Sequence, residues 1–377
     1  MTVTPFRIEI TDADVADLHA RLDRTRWPHE DEGLPDWTRG TDPVYLRKLV
    51  TYWRERYDWR AHEARLNALP QFVADLDGTR IHFVHVRSPR RPAIPLVLTH
   101  GWPGSFVEFL EVIELLGNGD GPAFDLVVPS LPGYAFSARR GTTPNREVAR
   151  LWLALMTALG YERFGLQGGD VGAGVSSLVA RLAPERVIGV HLNFVGSSYR
   201  PWLGEGSAPL DAEERAALAG FTAWAEARGA YGHLHRTTPR TPASALNDSP
   251  AGLASWIVEK FYYWSDRSDA AEPPFSPDLL LTNVSLYWFT GAIGSSMAIY
   301  YDNAHDPMAL AREERIAPPL AYAAFPHEIW NPPAAWLRRG FNLQRYTRMP
   351  RGGHFAALEA PAELADDVRT FFEERSS

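Results

Sequence analysis

The chain has 377 residues, of which 45% are hydrophobic and 22% are charged, a balance that argues against disorder. It contains no cysteine, which excludes disulfide bonds, thiolate zinc sites, iron–sulfur clusters and a cysteine nucleophile. The formal net charge is −8, and 46 acidic residues outnumber 38 scattered basic ones, so we expect no nucleic-acid partner.

Residues 1–69 carry the pattern of short amphipathic helices rich in Arg, Asp and Trp. Thr11, with Asp14 three residues later, predicts a helix N-terminus, and Pro28 ends that helical run. The first twenty residues contain acidic side chains where a secretion signal needs an apolar segment. We therefore expect a cytoplasmic protein whose first 69 residues form an N-terminal helical segment.

Strand patterns begin near residue 70 and alternate with helical patterns up to residue 197. Two alternating segments flank Asp77-Gly78, a dipeptide that strongly favours a hairpin turn. The later strands are apolar and are separated by helices, such as the one predicted over residues 106–116. Such strands are typical of a mostly parallel sheet covered on both faces, so residues 70–197 are predicted to form the first part of an α/β core.

Residues 198–301 carry helical patterns joined by Pro-rich connections, with helices predicted over 211–228, 252–264 and 279–301. The segment 279–301 has no charge and is long enough to span a bilayer, but its Thr, Asn, Gly and Ser residues favour a buried helix pair. We therefore expect no membrane partner. Strand patterns and a terminal helix return in residues 302–377, the predicted second part of the core. A helical cap inserted late in a parallel sheet is the layout of a capped α/β-hydrolase fold.

The pentapeptide Gly168-Gly169-Asp170-Val171-Gly172 joins a predicted strand to a predicted helix. Small residues two positions before and two after a central residue are typical of a nucleophile elbow, where a strained backbone pushes the central side chain out of the turn. Asp170 is then the candidate nucleophile. From this pentapeptide alone, a Gly-rich turn in which Asp170 only caps the helix is an equally open alternative.

The segment HGWPGS, residues 100–105, directly follows another predicted strand. In this fold, the loop after that strand and the residue after the nucleophile each donate a backbone N–H to the oxyanion hole. We therefore predict that the N–H groups of Trp102 and Val171 form it. The alternative is a glycine turn that only caps the next helix.

A nucleophile, then an acid, then a histidine is the chain order of the catalytic triad in this fold. His354 follows Gly352 and Gly353 after the last predicted strand, which suits a loop at the edge of the sheet. Glu328 follows the preceding strand, and no other carboxylate lies between it and His354. Asp302, near the end of the predicted cap, is the weaker candidate. A carboxylate here orients the imidazole and stabilises its charged form.

Four motifs in this order, HGWPGS, GGDVG, AFPHE and RGGHFAALE, resemble those of the α/β-hydrolase-fold epoxide hydrolases. The resemblance is to the microsomal and juvenile-hormone type with its soluble bacterial relatives. It extends to the N-terminal PFRIEITDADVADLHARLDRTRWP and so covers essentially the whole chain. It implies a mostly parallel eight-stranded sheet with a helical cap, and neither a metal nor an organic cofactor. We do not expect the membrane anchor of the microsomal members, because the chain starts directly with the helical segment.

By position, the resemblance implies Asp170 as the nucleophile, His354 as the general base and Glu328 as the charge partner of the histidine. The implied reaction opens an epoxide by attack of Asp170, which forms an alkyl ester. Water activated by His354 then hydrolyses this ester at its carbonyl carbon, and a vicinal diol is released.

Two cap tyrosines of the family act as acids on the epoxide oxygen. The matching positions are Tyr231 in GAYGHLH and Tyr300 in SSMAIYYDN, although the adjacent Tyr301 leaves the second register open. One departure from the family is Val171, where relatives usually carry Trp. The pocket wall is smaller there, so the shape of the substrate becomes less predictable.

Two other functions compete with epoxide hydrolysis. A haloalkane dehalogenase also uses an Asp nucleophile, but it commonly binds the leaving halide with a Trp at the position of Val171. A catalytically silent ligand-binding protein of this fold usually lacks a triad member, whereas all three candidates are present here.

The many Trp and Tyr residues of the cap predict a small-molecule epoxide that is apolar or aromatic. Only two of the basic residues are Lys, an Arg bias that suggests a GC-rich bacterial source and a role in detoxification or natural-product biosynthesis. The sequence does not decide between a monomer and a homodimer.

Overall fold

The structure, a computed structural model, describes residues 2–29, 37–196, 199–268 and 270–375. Within these ranges nine strands form one sheet, in the order β1-β2-β3-β5-β4-β6-β7-β8-β9. In chain order the strands are β1 (Val3–Pro5), β2 (Gln71–Leu76), β3 (Thr79–Val86), β4 (Ala93–Thr99), β5 (Ala123–Pro129), β6 (Phe164–Gly168), β7 (Val187–Leu192), β8 (Ile316–Ala324) and β9 (Phe341–Arg348).

The sheet is mostly parallel, as predicted. The pairs β1–β2, β2–β3 and β3–β5 are antiparallel, whereas β4–β5, β4–β6, β6–β7, β7–β8 and β8–β9 are parallel. The central strands are buried along most of their length, which explains their continuous apolar sequences. The carboxyl ends of β4, β6, β8 and β9 point toward one edge, where the candidate residues follow.

The predicted number of eight strands is wrong, because the sheet of the described residues has nine. The additional strand β1 pairs antiparallel with β2, from Val3 opposite Ala74 to Pro5 opposite Phe72. It lies at the edge of the sheet, where a proline that lacks an N–H is tolerated. A three-residue strand is too short to show an alternating pattern, so this segment was included in the predicted helical region.

The predicted hairpin is confirmed. Strands β2 and β3 are joined by Asp77 and Gly78, which both adopt positive φ angles, 51° and 78°. Positive φ at both central residues is what a tight hairpin turn requires, and Asp-Gly is among the pairs that adopt it most readily.

Helices cover both faces of the sheet and form the region between β7 and β8. The α-helices of the described ranges are α1 (Asp12–Asp23), α2 (Pro43–Glu55), α3 (Trp59–Leu66), α4 (Leu110–Asn118), α5 (Asn145–Ala158), α6 (Asp170–Leu182), α7 (Ala212–Arg228), α8 (Ala230–Thr237), α9 (Arg240–Leu246), α10 (Pro250–Tyr263), α11 (Pro277–Thr290), α12 (Ile293–His305), α13 (Ala334–Arg338), α14 (Ala356–Glu359) and α15 (Pro361–Glu373). A 3₁₀-helix, Phe106–Phe109, precedes α4, and a second one is Pro184–Arg186.

The N-terminus of α1 is the one predicted from sequence. The Thr11 side chain accepts a hydrogen bond from the Asp14 N–H, and the Asp14 carboxylate accepts one from the Thr11 backbone. This reciprocal pair satisfies two donors that the helix itself leaves free. The helix ends at Asp23, before Pro28.

Helices α7 to α12 lie between β7 and β8, where the cap was predicted. The segment predicted as a buried helix pair forms α11 and α12, which are separated by Gly291 in the left-handed conformation. Among the described residues, no helix is both long and apolar enough to cross a membrane. The predicted boundary at residues 197 and 198 lies outside the described residues, and the division into segments stays a prediction.

Candidate active site

Asp170 lies at the sharp turn between β6 and α6. Its φ is 45°, a left-handed conformation that is unusual for a residue other than glycine. A side chain at Gly168 would place its Cβ 2.5 Å from the Gly172 carbonyl oxygen, and a Cβ at Gly172 would lie 1.9 Å from the Thr99 carbonyl oxygen. The glycines therefore make this turn sterically possible, which is the geometry that the elbow motif predicted.

The loop after β4 faces Asp170 directly. The Trp102 backbone N–H donates a 2.8 Å hydrogen bond to Asp170 Oδ1. A Cβ at Gly101 would lie 2.3 Å from that same carboxylate, so only glycine permits this approach. Val171, which supplies the other predicted N–H, follows Asp170 in the first turn of α6, where backbone N–H groups have no partner within the helix.

His354 and Glu328 follow β9 and β8 and meet beside Asp170. His354 Nε2 lies 3.5 Å from Asp170 Oδ2, and His354 Nδ1 lies 2.7 Å from Glu328 Oε1. Glu328 Oε1 also accepts a 2.7 Å hydrogen bond from the Ile329 N–H, which fixes the carboxylate. The imidazole therefore lies between the two carboxylates in the arrangement of a triad.

The charge of His354 depends on these two neighbours. Burial alone would lower the pKa of its imidazole, but the charges of Glu328 and Asp170 outweigh this effect and raise the pKa well above its ordinary value. The two neighbouring carboxylates thus favour the protonated form of the His354 imidazole.

Asp302, the weaker candidate for the acid, lies elsewhere. It is buried in α12, where its carboxylate accepts a 2.7 Å hydrogen bond from the Thr143 N–H and forms an ion pair with Arg139. The structure thus brings Glu328, and not Asp302, to His354.

The cap places two tyrosines against Trp102, in the loop after β4. The Tyr231 ring stacks on the Trp102 ring at 5.4 Å with an interplanar angle of 8°, and the Tyr300 ring contacts Trp102 edge-on at 5.9 Å. The two tyrosine rings are 6.0 Å apart. Tyr301 instead is 42% exposed and packs against His305, so Tyr300 is the tyrosine of this pair that reaches the site.

Both tyrosine hydroxyls remain protonated. Burial raises the pKa of Tyr231 and Tyr300, and the negative charge of Asp170 raises it further. Two neutral hydroxyl groups opposite a carboxylate can donate hydrogen bonds to an oxygen that becomes negative, which is the property that an acid in this position needs.

A cavity of about 260 Å³ opens between the core and the cap. Asp170 and Val171 form part of its floor, while Tyr231 and Tyr300 line its cap side. Aromatic side chains of the cap and core, Phe194, Phe221 and Trp224, complete much of the wall. The polar side chains of Asn145, Arg200, Arg236 and Asn303 also line the cavity, so its lining is mixed but mostly apolar. A cavity of this kind is typical of a small-molecule site.

Two further titratable residues at the site were missed by sequence analysis. Glu108, the third residue of the 3₁₀-helix, lines a second, smaller cavity together with Asp170 and His354. His235, four residues after Tyr231 on α8, is fully buried, and the described residues offer no hydrogen-bond partner to either ring nitrogen. Burial lowers its pKa to about 3, so its imidazole is neutral. The helical spacing from Tyr231 could have indicated His235.

The described residues contain no cluster of three or more His, Asp or Glu side chains arranged to hold a metal ion. The site brings together the carboxylate of Asp170, an imidazole paired with a second carboxylate, the Trp102 backbone N–H and two phenolic hydroxyls. This set is suited to nucleophilic attack followed by hydrolysis of an acyl intermediate.

Two family models match the chain: epoxide hydrolase N terminus over residues 3–109 and alpha/beta hydrolase fold over residues 94–361. The chain is 41% identical to a candidate epoxide hydrolase of Stigmatella aurantiaca, over 98% of this chain and 84% of that protein. It is 37% identical to epoxide hydrolase 1 of Sus scrofa, over 98% and 88% of the two chains. The solved epoxide hydrolase of Aspergillus niger superposes with a TM-score of 0.88 at 33% identity, over 99% of this chain and 97% of that one.

Proposed function

The chain belongs to the epoxide hydrolases of the α/β-hydrolase fold, and from this premise we propose that it converts a small-molecule epoxide into a vicinal diol through an ester on Asp170. One observation carries the proposal. Asp170 occupies a strained turn with the Trp102 N–H at 2.8 Å and the His354 Nε2 at 3.5 Å from its carboxylate oxygens. Asp170 therefore borders the cavity, where a substrate can bind, and also lies next to the imidazole of His354, which can act as a base.

In the first step, an Asp170 oxygen attacks an epoxide carbon, and the carbon–oxygen bond of the strained ring breaks. The developing alkoxide faces Tyr231 and Tyr300, whose protonated hydroxyls donate hydrogen bonds and supply the proton. A serine in place of Asp170 would form an ether with no carbonyl for water to attack, which accounts for the carboxylate at this elbow.

In the second step, water loses a proton to His354 Nε2 and attacks the carbonyl carbon of the ester. The resulting oxyanion is stabilised by the N–H groups of Trp102 and Val171, and the diol leaves as Asp170 is regenerated. Ester formation itself prepares this step. It removes the Asp170 charge that helps to raise the pKa of His354, so the imidazole loses its proton more readily. That proton restores the hydroxyl of the tyrosine that protonated the alkoxide, and the neutral imidazole can then act as a base.

The lining of the 260 Å³ cavity supports an apolar or aromatic epoxide as the substrate. Val171 leaves room beside the nucleophile that a larger residue would occupy.

We further propose a cytoplasmic enzyme of bacterial origin, acting in detoxification or in natural-product biosynthesis. The Arg-rich composition and the similarity to the Stigmatella aurantiaca protein support this origin. Light scattering of the purified protein distinguishes a monomer from a homodimer.

Hydrolysis of styrene oxide, a simple aryl epoxide, tests the activity. We expect the wild-type protein to release the diol, and we expect Tyr231→Phe combined with Tyr300→Phe to slow ester formation by about 10²- to 10⁴-fold, the usual contribution of a general acid. Tyr301→Phe is the matched control and should leave turnover unchanged, because Tyr301 faces away from the site. A wild-type protein that forms no diol from any aryl or alkyl epoxide contradicts the proposal.

A further inference from the structure

The carboxyl group of Glu108 lies near Asp170, and the mechanism proposed above does not use it. The residue lies in the 3₁₀-helix Phe106–Phe109 and is partly buried. The residue lines a small cavity together with Asp170 and His354. Two polar residues, Gln167 of β6 and Asn193 directly after β7, also line this cavity.

The loop before Glu108 is shaped to admit its carboxyl group. A Cβ built on Gly104 would lie 1.2 Å from Glu108 Oε1 and 2.4 Å from the carboxyl carbon. Any other residue at position 104 would therefore displace the carboxyl group. Since the φ of Gly104 is not in the left-handed region, the space that glycine leaves is the reason for its presence.

The volume of the cavity matches its polar lining. It measures about 20 Å³, and a single water molecule needs roughly 10–15 Å³ together with two to four polar partners. His354, Asp170 and Glu108, all with polar side chains, line this space. The cavity thus has the size and the chemistry to hold one water next to the acyl carbon of an Asp170 ester.

The charges around Glu108 change when the ester forms. Burial raises the pKa of Glu108 to about 8, and the Asp170 charge adds to this shift, whereas the His354 charge and the Ser105 backbone amide oppose it. Burial chiefly, and the Glu108 charge in addition, raise the pKa of the nearby Tyr134 and Tyr287. Esterification removes the Asp170 charge, so Glu108 ionises more readily at the stage when a water must be held.

We propose that Glu108 is a catalytic residue of ester hydrolysis, where it holds the attacking water together with His354. This inference rests on the proposed function. The water donates one hydrogen to a Glu108 oxygen and the other to His354 Nε2. Its oxygen then bonds to the acyl carbon of Asp170 while the second proton passes to His354. The bond between the acyl carbon and the diol oxygen breaks, and the diol oxygen takes that proton. Asp170 is left as a carboxylic acid and passes its remaining proton to His354, which restores the starting charges. Glu108 accepts a hydrogen bond throughout and neither gains nor loses a proton in the step.

The test separates the two half-reactions. The enzyme, in excess over styrene oxide, is quenched at successive times, and mass spectrometry of the peptide that carries Asp170 follows the ester. In Glu108→Gln, we expect the ester to form at the wild-type rate and to decay on the order of 10- to 100-fold more slowly, the usual contribution of a hydrogen bond to a charged group. Glu111→Gln, an exposed carboxylate on the following helix, is the matched control and should decay as in wild type.

A second variant keeps the carboxyl group of Glu108 but changes its position. In Gly104→Ala, the new methyl group displaces the Glu108 carboxyl group, so the same slow decay is expected with Glu108 still present. This variant carries the test if Glu108→Gln does not fold. Decay at the wild-type rate in either folded variant overturns the inference, as does an equal slowing of ester formation and decay, which would mean a purely structural role. If wild-type protein forms no ester on Asp170, it is the proposed function that fails.

Discussion

His354 lies between two carboxylates, and the first step of the proposed reaction changes only one of them. Glu328 keeps its charge at 2.7 Å from Nδ1, whereas Asp170, 3.5 Å from Nε2, becomes a neutral ester. The pKa of the imidazole, raised by both charges, therefore falls when the ester forms. The Asp170 carboxylate thus favours a protonated His354 in the free enzyme, and His354 acts as a base toward water once the ester has formed.

This coupling predicts the behaviour of His354→Gln. The ester on Asp170 should form and then accumulate, because glutamine cannot take the proton from water. In the wild-type protein, the rate of ester decay should rise with pH and level off once His354 in the ester form is neutral, and this dependence should be missing in His354→Gln. Rapid-quench mass spectrometry across pH measures both. Steady-state turnover that is unchanged in the variant would exclude His354 as the base.

Sequence motifs identify some site residues and miss others for physical reasons. Asp170 and His354 are recognisable because glycines beside them mark strained or close-packed backbone. Tyr300 could not be separated from Tyr301, since both follow the same motif and only the orientation of α12 decides which faces the cavity. Glu108 was missed because its position depends on the space at Gly104, which a one-dimensional pattern does not show.

At the scale of elements, the turn between β6 and α6 is held against the end of β4. Gly172, in the first turn of α6, lies so close to the Thr99 carbonyl that any Cβ would overlap with backbone atoms. Backbone atoms cannot rotate away as a side-chain end can. The elbow therefore depends on the contact between α6 and β4 as much as on its own glycines.

Gly172→Ala tests this dependence. We expect a loss of about 1–3 kcal/mol in the free energy of unfolding, the usual cost of overpacking, together with reduced ester formation as Asp170 moves. Gly220→Ala, in the exposed middle of α7 with nothing within 4 Å of the added methyl group, should instead be neutral or stabilise the protein by up to about 1 kcal/mol. Urea unfolding measures both. Equal stability of Gly172→Ala and wild type would mean that the turn relaxes at no cost.

Most elements were predictable because their periodicity is local. The Asp77-Gly78 hairpin, the cap of α1 and the pair α11–α12 all follow from residues within one segment. Strand β1 was not predictable, since its three residues gain their structure only from pairing with β2, which lies about 70 positions further along the chain.

At the scale of the whole molecule, the N-terminal segment packs against the cap helices. Trp37 stacks on Tyr262 at 3.9 Å, and the Tyr52 hydroxyl donates a 2.9 Å hydrogen bond to Asp278. The cap in turn is joined to the core through Asp302 of α12 and Arg139. These contacts join residues that are far apart in sequence, so no sequence pattern indicated them, and they tie the cap to both neighbouring parts of the chain.

The stability of the core should depend on pH through Asp367. This buried carboxylate of α15 bonds to His191 of β7 at 3.1 Å and to Thr347 and Arg345 of β9 at 2.8 Å. Burial would raise the pKa of Asp367, but these partners outweigh it and lower the pKa. Because the folded-state pKa lies below the unfolded-state value, the carboxylate contributes stability above the unfolded-state pKa, and this contribution is lost as the pH falls through the folded-state pKa.

Asp367→Asn should therefore lower the free energy of unfolding by about 1–3 kcal/mol at pH 7, and its difference from wild type should shrink as the pH decreases below about 4. The neighbouring Asp366→Asn removes only an exposed ion pair with Arg369 and should change stability little. Urea unfolding at a series of pH values measures these differences. A deficit in Asp367→Asn that stays constant down to pH 2 would contradict the assignment.

The covalent ester on Asp170 is tested most directly by a single turnover in ¹⁸O-labelled water. The protein is mixed in excess with styrene oxide, and the diol and the peptide that carries Asp170 are analysed by mass spectrometry. Because water attacks the acyl carbon of the ester, we predict that ¹⁸O enters the Asp170 carboxylate, while the diol of the first turnover carries almost none. Label found directly in that diol, with Asp170 unlabelled, would show that water opens the epoxide itself and would contradict the covalent mechanism.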